Sequence, residues 1–319
     1  MNIKKRDLPL KIHKLEALFR RLPEFHAKRS IIKAELDKSW AGHRGEEALD
    51  YYLANLQGRQ PLTLHGLRLL GCNGYFFQLD TLLLYPNMAV ILETKNIAGT
   101  LFFDRSFQQL VRLQESGEDV FSDPLLQIQR QQRQLLAWLA SHHLTDFPVI
   151  PLVVISFPTT KITADPTHTE AFQKVLHAAA LPNKIEELHR RYPTNILTLT
   201  ELEKMAHCLK AQHTPHDPNL LEKFQISQSE LLKGVHCPVC QHIPMPRTRG
   251  KWHCLRCHHQ SSDAHIQALA DYVFFHGNTI TNKEFREYMQ LDSRFKATRL
   301  LKELSLPYFG SQKNRTYRL

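Results

Sequence analysis

The 319-residue chain has no uninterrupted apolar run near the ~18 residues that suggest a membrane-spanning helix. Its first stretch, MNIKKRDLPLKIHKLEALFRRL, is charged throughout and lacks the apolar segment of a secretory signal. Cysteine is scarce. Of the six, four fall in one spaced cluster, while Cys72 and Cys208 stand alone. That distribution argues against a secreted disulfide framework and fits a reducing compartment, so the expected location is the cytoplasm, with no membrane partner. Acidic residues are also short in number, 31 against 41 Lys and Arg. The basic excess sits at the ends: residues 1–40 carry 11 Lys and Arg against 5 acids, and residues 233–319 carry 14 against 6, which leaves the middle net acidic. This suits a metal-binding core flanked by regions that attract polyanions. The plainer alternative is surface helices solvated by Lys and Arg; for the C-terminal excess, nucleic acid is favoured. A hydrophobic content of 42% supplies a normal globular core, and the length admits two or three domains.

The chain is organised around Gln78–Asn96, QLDTLLLYPNMAVILETKN. Two apolar runs flank the turn signal Tyr85-Pro86-Asn87, as expected for a hairpin of strands buried on both faces. Each run carries an acid, Asp80 and Glu93, and a buried carboxylate is costly unless paired. Side chains alternate along a strand, so Glu93 and Lys95 share a face, and hairpin pairing brings Asp80 towards Glu93. Oxygen ligands of this kind suit Mg²⁺ or Mn²⁺, and a lysine beside the metal can orient or deprotonate a water. An acid followed about a dozen residues later by Glu-x-Lys is the arrangement of the PD-(D/E)xK nucleases. The alternative is a simple salt bridge between Glu93 and Lys95.

Before this hairpin, residues 8–40 read as helical, with Leu15, Leu18, Phe19 and Leu22 on one stripe; an amphipathic helix packed on the core is favoured over a basic arm on DNA. Gly42-His43-Arg44-Gly45-Glu46 is expected to open a further helix. Glu46 there either complements the helix dipole or points into the metal site. Leu62–Leu70, Gly99–Phe103, Gln109–Leu113 and Val149–Phe157 read as strands, and 116–119 as a polar turn. Asp123-Pro124 caps a helix to about His142. Gln127 and Gln131 share one of its faces. Arg130 and Arg133 could reach phosphate, but a solvated glutamine-rich face is favoured for Gln131, Arg130 and Arg133. Residues 166–232 read as helices near 169–180, 184–191, 200–213 and 217–233, with a short strand at Ile196–Leu199 and no evident chemistry.

Gly42-x-x-Gly45-Glu46, Gln78-Leu79-Asp80, Glu93-Thr94-Lys95-Asn96 and Pro124-x-x-Gln127, in that order, resemble the nuclease-related domain (NERD) family over roughly residues 40–150. The resemblance implies an α/β, restriction-endonuclease-like mixed sheet flanked by helices. It also implies Glu46, Asp80 and Glu93 as acidic site residues, Lys95 as the catalytic lysine and Gln127 as a polar helper. The family often has Asn before the motif proline, where this chain has Asp123.

Downstream, Cys237-Pro-Val-Cys240 and Cys254-Leu-Arg-Cys257 have the spacing of a zinc ribbon, four thiolates closing a tetrahedral Zn²⁺ shell in a structural site. Several histidines crowd nearby, but four cysteines already fill the shell. Residues 261–319 read as three helices and a β-hairpin, similar to a winged helix. Arg294, Lys296, Arg299 and Lys302 on the third helix, with Phe295, Ala297, Leu300, Leu301 and Leu304 inward, and Lys313, Arg315 and Arg318 on the wing, would contact DNA. The alternative is a helical cap with a solvated basic face.

The expected organisation is thus a basic helical arm (1–40), a NERD-type domain (41–160), a helical extension (161–233), a zinc ribbon (234–260) and a winged-helix-like domain (261–319). The expected function is a Mg²⁺-dependent nuclease acting on DNA. The competing reading is a non-catalytic DNA-binding or regulatory protein with a vestigial site, and a weaker one is a protein–protein role for the ribbon and tail.

Overall fold

A computed structural model describes all residues except Gln57, Arg59, Ser116, Gln312 and Lys313. In chain order the elements run β1 (Asn2–Lys4), α1 (Leu10–Arg21), α2 (Arg29–Ala54), β2 (Leu62–Leu70), β3 (Phe76–Tyr85) and β4 (Met88–Lys95). Then follow β5 (Thr100–Asp104), β6 (Gln109–Gln114), β7 (Gly117–Ser122), α3 (Pro124–Ser141), β8 (Val149–Ile155), β9 (Lys161–Ala164), α4 (Thr169–Lys174), β10 (Val175–His177), α5 (Leu181–Arg191), α6 (Leu199–Ala211) and α7 (Leu220–Phe224). The C-terminal elements are β11 (Arg247–Thr248), β12 (Lys251–His253), β13 (Gln260–Ser261), α8 (His265–His276), β14 (Thr279–Thr281), α9 (Asn282–Met289), α10 (Arg294–Glu303), β15 (Tyr308–Phe309) and β16 (Thr316–Arg318). Among the described residues no helix is long and apolar enough to cross a membrane. The chain divides into two compact units, one of residues 1–9 and 38–216, the other of residues 10–37 and 217–319.

The first unit is a mixed α/β structure around a six-stranded sheet of order β1-β2-β3-β4-β8-β10. Strands β2, β3 and β4 form an antiparallel meander, and β4, β8 and β10 run parallel. The hairpin at Pro86-Asn87 forms as expected, with Tyr85 opposite Met88. Its continuous apolar runs have a direct cause: both sheet faces are covered. Leu82, Leu84, Ala89 and Ile91 pack with Leu135, Trp138 and Leu139 of α3 and Leu202 and Met205 of α6. Leu83, Tyr85, Val90 and Leu92 pack with Leu49 of α2 and Ile185 and Leu188 of α5. Each Leu, Ile, Val or Met among them contributes roughly 1.5–3 kcal/mol on burial. The link from β4 to β8 holds β5–β7 and α3, and β7-β6-β5-β9 form a second sheet.

Several expected elements differ. No new helix opens at Gly42; α2 passes through Gly42 and Gly45 without a break. Two glycines weaken a helix by about 1 kcal/mol each, and α2 forms across them with Ile32 and Leu36 buried before them and Leu49 after. The polar turn at 116–119 is instead the start of β7, from Gly117 on, with Ser116 outside the described residues. The helix expected over 169–180 stops at Lys174, because Val175–His177 pair with Val153–Ile155 as an edge strand. That over 217–233 is confined to Leu220–Phe224 and one 3₁₀ turn at Gln228–Glu230. Ile196–Leu197 form no strand; their N–H groups both donate to the Pro86 carbonyl.

In the second unit, α1 is amphipathic and packed rather than a free arm: Ile12, Leu15, Ala17 and Leu18 are buried. Arg21 of the same helix is fully buried, as is its partner Asp271 at 2.8 Å; Arg21 also donates to the carbonyls of Leu232 and Gly234. Removing one partner of such a pair would leave an uncompensated buried charge. One apolar core joins Val235, Trp252, Tyr272, Phe285, Leu300 and Tyr317, so the cysteine-bearing segment and the tail share a single interior. Thr281 and Glu284 form the expected capping box of α9.

Candidate functional site

The site begins where two strands part. The β3–β4 ladder ends at Thr81↔Leu92, while β4 continues beside β8 through Glu93↔Val153 to Lys95↔Ile155. Asp80 is the first residue past the end of that ladder. Its Oδ2 accepts the Thr94 N–H at 3.0 Å, supplying the acceptor that a β3 carbonyl no longer gives. Burial, then the charges of Glu93 and Glu46, push the Asp80 carboxyl well above the ordinary range. Glu46 is raised too, by burial first; Arg6 opposes the rise, and Glu93 and Asp50 add to it. Glu46, Asp80 and Glu93 therefore act on one another electrostatically.

Glu93 is 3% exposed and both of its oxygens are engaged. Lys95 Nζ donates to Oε1 at 2.6 Å and also to Gln127 Oε1 at 3.0 Å. Gln131 Nε2 donates to Glu93 Oε2 at 2.7 Å and to the Gln78 carbonyl at 3.0 Å. The expectation of a solvated Gln131 is thus overturned: the residue is 5% exposed and binds the central acid. Its signal was the four-residue offset from Gln127, one helical turn. Arg130 and Arg133 are exposed, as expected for that face.

Gly45 fixes the approach of α2. A Cβ there would stand well under 3.0 Å from Asn96 Cβ and 2.9 Å from Ser156 Oγ. Asn96 Nδ2 in turn donates to the Ala41 carbonyl at 2.7 Å. Two of the motifs, Gly45-Glu46 and Thr94-Lys95-Asn96, are thereby locked together, and Glu46 is presented from mid-helix. The dipole explanation for Glu46 accordingly falls away, since it needs a helix start.

Sequence reasoning missed Arg6. Its guanidinium donates to Glu46 Oε2 at 2.6 Å, to Asp50 Oδ1 at 3.0 Å and to Thr81 Oγ1 at 3.2 Å. It also meets His65 Nδ1 at 2.8 Å. An arginine can only donate, so that nitrogen accepts and the ring is neutral. Burial first, then Arg6, lower the His65 pKa to about 4. No local pattern marks Arg6, which is forty residues from Glu46.

The four cysteines converge in the second unit. Their sulfurs all lie within 4.8 Å of one another, with Cys237–Cys257 at 3.6 Å and Cys240–Cys254 at 3.4 Å. Tetrahedral Zn–S bonds of about 2.3 Å would set sulfurs about 3.8 Å apart, so the cluster could hold zinc. The two knuckles repeat one pattern: Gln241 N–H bonds the Cys237 carbonyl and His258 N–H that of Cys254, each at 3.0 Å, and Gln241 and His258 both have positive φ. Cys237 and Cys254 N–H bond the His242 and His259 carbonyls in the same way. Among the described residues this is the one group of three or more His, Cys, Asp or Glu close enough to enclose an ion; Glu46, Asp80 and Glu93 form no such closed set.

In the tail, Arg294, Lys296, Arg299 and Lys302 are exposed on α10. Lys296 pairs with Asp292 at 3.0 Å and Arg299 with Glu303 at 2.8 Å. Phe295, expected inward, is 86% exposed, because it precedes the buried stripe of Ala297, Leu300 and Leu301. Arg315 lies over the Tyr308 ring at 4.1 Å, Arg318 is exposed, and Lys313 lies outside the described residues.

The first unit thus defines a mixed α/β protein with a carboxylate–lysine–glutamine site at the point where its central strands part. Residues 41–156 match the family model described as the nuclease-related domain, and the chain carries that domain over this span. No curated protein and no solved structure matches the chain.

Proposed function

We propose that the chain is a metal-dependent nuclease that hydrolyses phosphodiester bonds in DNA, on a restriction-endonuclease-like core. The observation that carries this reading is Lys95, held at 2.6 Å by Glu93 and 3.0 Å by Gln127 beside two further acids. Lys95 has three N–H donors and these contacts use two. The third can orient a water or balance charge on a phosphate. Glu46, Asp80 and Glu93 offer oxygen donors of the type a hard cation takes, and their mutual repulsion is what a cation would relieve. Such an ion supplies Lewis-acid stabilisation of charge at the phosphate. Gln127 and Gln131 fix Lys95 and Glu93 in place.

The four-cysteine ribbon, with structural zinc, and the tail would bring DNA to this core. The tail orders its elements helix–strand–helix–helix–strand–strand, with sheet order β14-β16-β15, which supports a winged-helix reading. Arg294 and Lys302 on α10 and Arg315 and Arg318 on β16 and the segment before it are the phosphate contacts it would use.

Purified protein incubated with plasmid and Mg²⁺ or Mn²⁺ tests the reading. Lys95→Ala and Glu93→Ala should abolish nicking while a gel shift persists; wild-type protein that nicks no faster than Lys95→Ala would refute it. A second reading, a non-catalytic DNA-binding protein, is favoured by one observation: Glu93 is held by Lys95 and Gln131 and Glu46 by Arg6, so these acids already have protein partners. A salt-sensitive shift without metal-dependent nicking would select it.

A further inference from the structure

The glutamine face of α3 walls a groove of about 510 Å³. Its lining includes Phe76, Gln78, Gln127, Arg130, Gln131 and Arg133, and none of the described residues lining it is acidic. The volume lies in the range of roughly 300–1,000 Å³ that encloses a body of small-ligand size. Two of its lining residues are the same glutamines that hold Lys95 and Glu93.

Two features indicate what fits, and a third shapes the wall behind them. Arg130 and Arg133 are exposed and three residues apart on one helix, so both can reach successive phosphates. Phe76 is 43% exposed although its ring is braced by the Arg68 guanidinium at 3.7 Å. An aromatic held in this way offers a platform on which a base can stack. Gln131 supplies the third feature. Its amide nitrogen must face the Glu93 carboxylate, so its orientation is fixed by that bond. No protein donor then reaches its Oε1, although the residue is 95% buried. That oxygen is itself shut off from solvent, so Gln131 shapes the wall without offering the groove an acceptor.

We propose that this groove binds an unpaired stretch of nucleic acid, with phosphates on Arg130 and Arg133 and a base stacked on Phe76. A duplex presents base edges to its grooves and keeps base faces stacked inside, so it cannot use Phe76. Only a single strand, a flap or a frayed end can. The consequence for function, which rests on the nuclease reading of the neighbouring site, is that cleavage falls on or next to unpaired nucleotides.

The test uses the full chain carrying Lys95→Ala, so that substrate survives, with zinc retained and no Mg²⁺ added. Fluorescence anisotropy reads binding to an oligothymidylate of about 12 nucleotides, within single-strand site sizes, and to a blunt duplex of equal length. Arg130→Glu with Arg133→Glu should weaken the single strand about tenfold or more and lower the salt slope by roughly 1.4, at 0.7 per phosphate. Phe76→Leu should lose about fivefold or more and Phe76→Trp should retain binding. Duplex affinity should change less than twofold. Unchanged single-strand binding, or equal losses on both substrates, would overturn the proposal. Wild-type cleavage resolves the rest. If groove variants lose single-strand binding but wild type cuts nothing, the groove stands and the hydrolase reading falls. If wild type cuts and the groove variants bind and cut single strand normally, the groove falls alone.

Discussion

Gln131 donates its amide to Glu93 at 2.7 Å, on the carboxylate oxygen that Lys95 does not use. Glu93 is thereby clamped between a strand neighbour and a helix, and its orientation towards Asp80 and Glu46 depends on both. A buried carboxylate oxygen left without a donor costs about 1–3 kcal/mol, more when charged. Gln131→Ala should therefore destabilise the first unit by roughly that amount and slow nicking. Gln131→Glu, which sets a second carboxylate against the first, should do more damage than the truncation. Urea unfolding followed by tryptophan fluorescence, beside the nicking rate, checks the ranking.

The same pair shows what the chain of letters discloses. Asp80, Glu93 and Lys95 were legible because apolar strands make an acid conspicuous, and Gln127 because its helix has a clear start at Asp123-Pro124. Gln131 looked like one more polar residue on a glutamine-rich turn, since periodicity gives its face but not what that face meets. Arg6 and His65 reach the site through tertiary folding alone. Helix propensity misled at Gly42, where α2 runs on through two glycines. It misled again at Val175–His177, where the free edge of β8 captures residues that follow a short helix. The knuckles of Cys237–Cys240 and Cys254–Cys257 were legible because their geometry is local. Phe295 was misplaced by one helical position, and at a helix end one position decides between core and solvent.

The two glycines of the first motif should behave oppositely. Neither has a positive φ. A Cβ at Gly42 meets nothing within 4 Å, so Gly42→Ala should gain up to about 1 kcal/mol from helix propensity. At Gly45 the added methyl collides with Asn96 and Ser156, and Gly45→Ala should cost roughly 1–3 kcal/mol, pushing Asn96 and with it Lys95. Thermal unfolding of both variants measures the contrast; equal effects would mean that the approach of α2 to Asn96 is not tight.

Four convergent sulfurs predict about one zinc ion per chain, bound tightly enough to survive gel filtration. Cys254→Ser should lose the metal and loosen the core around Trp252, which packs in the same cluster as that cysteine. Cys72→Ser and Cys208→Ser should retain it. Metal analysis by atomic emission, together with the thiolate–cobalt absorption of a cobalt-substituted sample, distinguishes these outcomes. Metal retained in Cys254→Ser would remove that residue from the shell.

Asp80 offers the most direct test of a cation at the candidate site. Its carboxyl titrates well above the ordinary range, so the folded chain binds its proton more tightly than the unfolded chain does. Stability from this group is therefore greatest below the ordinary carboxylate pKa. It falls as pH rises through the raised value and stays reduced above it. Asp80→Asn keeps an oxygen acceptor for the Thr94 N–H and removes the repelled charge. Without Mg²⁺, the stability of Asp80→Asn relative to wild type should rise with pH, because the variant has no carboxylate to charge among the other acids. His65, lowered to about 4, works in the other direction, its stability being lost as pH falls from about 6.5 towards 4, but it is common to both proteins and cancels in the comparison. Added Mg²⁺ should raise the wild-type midpoint and leave Asp80→Asn unmoved, because a ligand that binds only the folded state stabilises it. A thermal-shift series at pH 5 and pH 8 with and without Mg²⁺ reads both effects. A wild-type midpoint indifferent to millimolar Mg²⁺ and Mn²⁺ would count against a metal at these acids, whatever the stability of the variant.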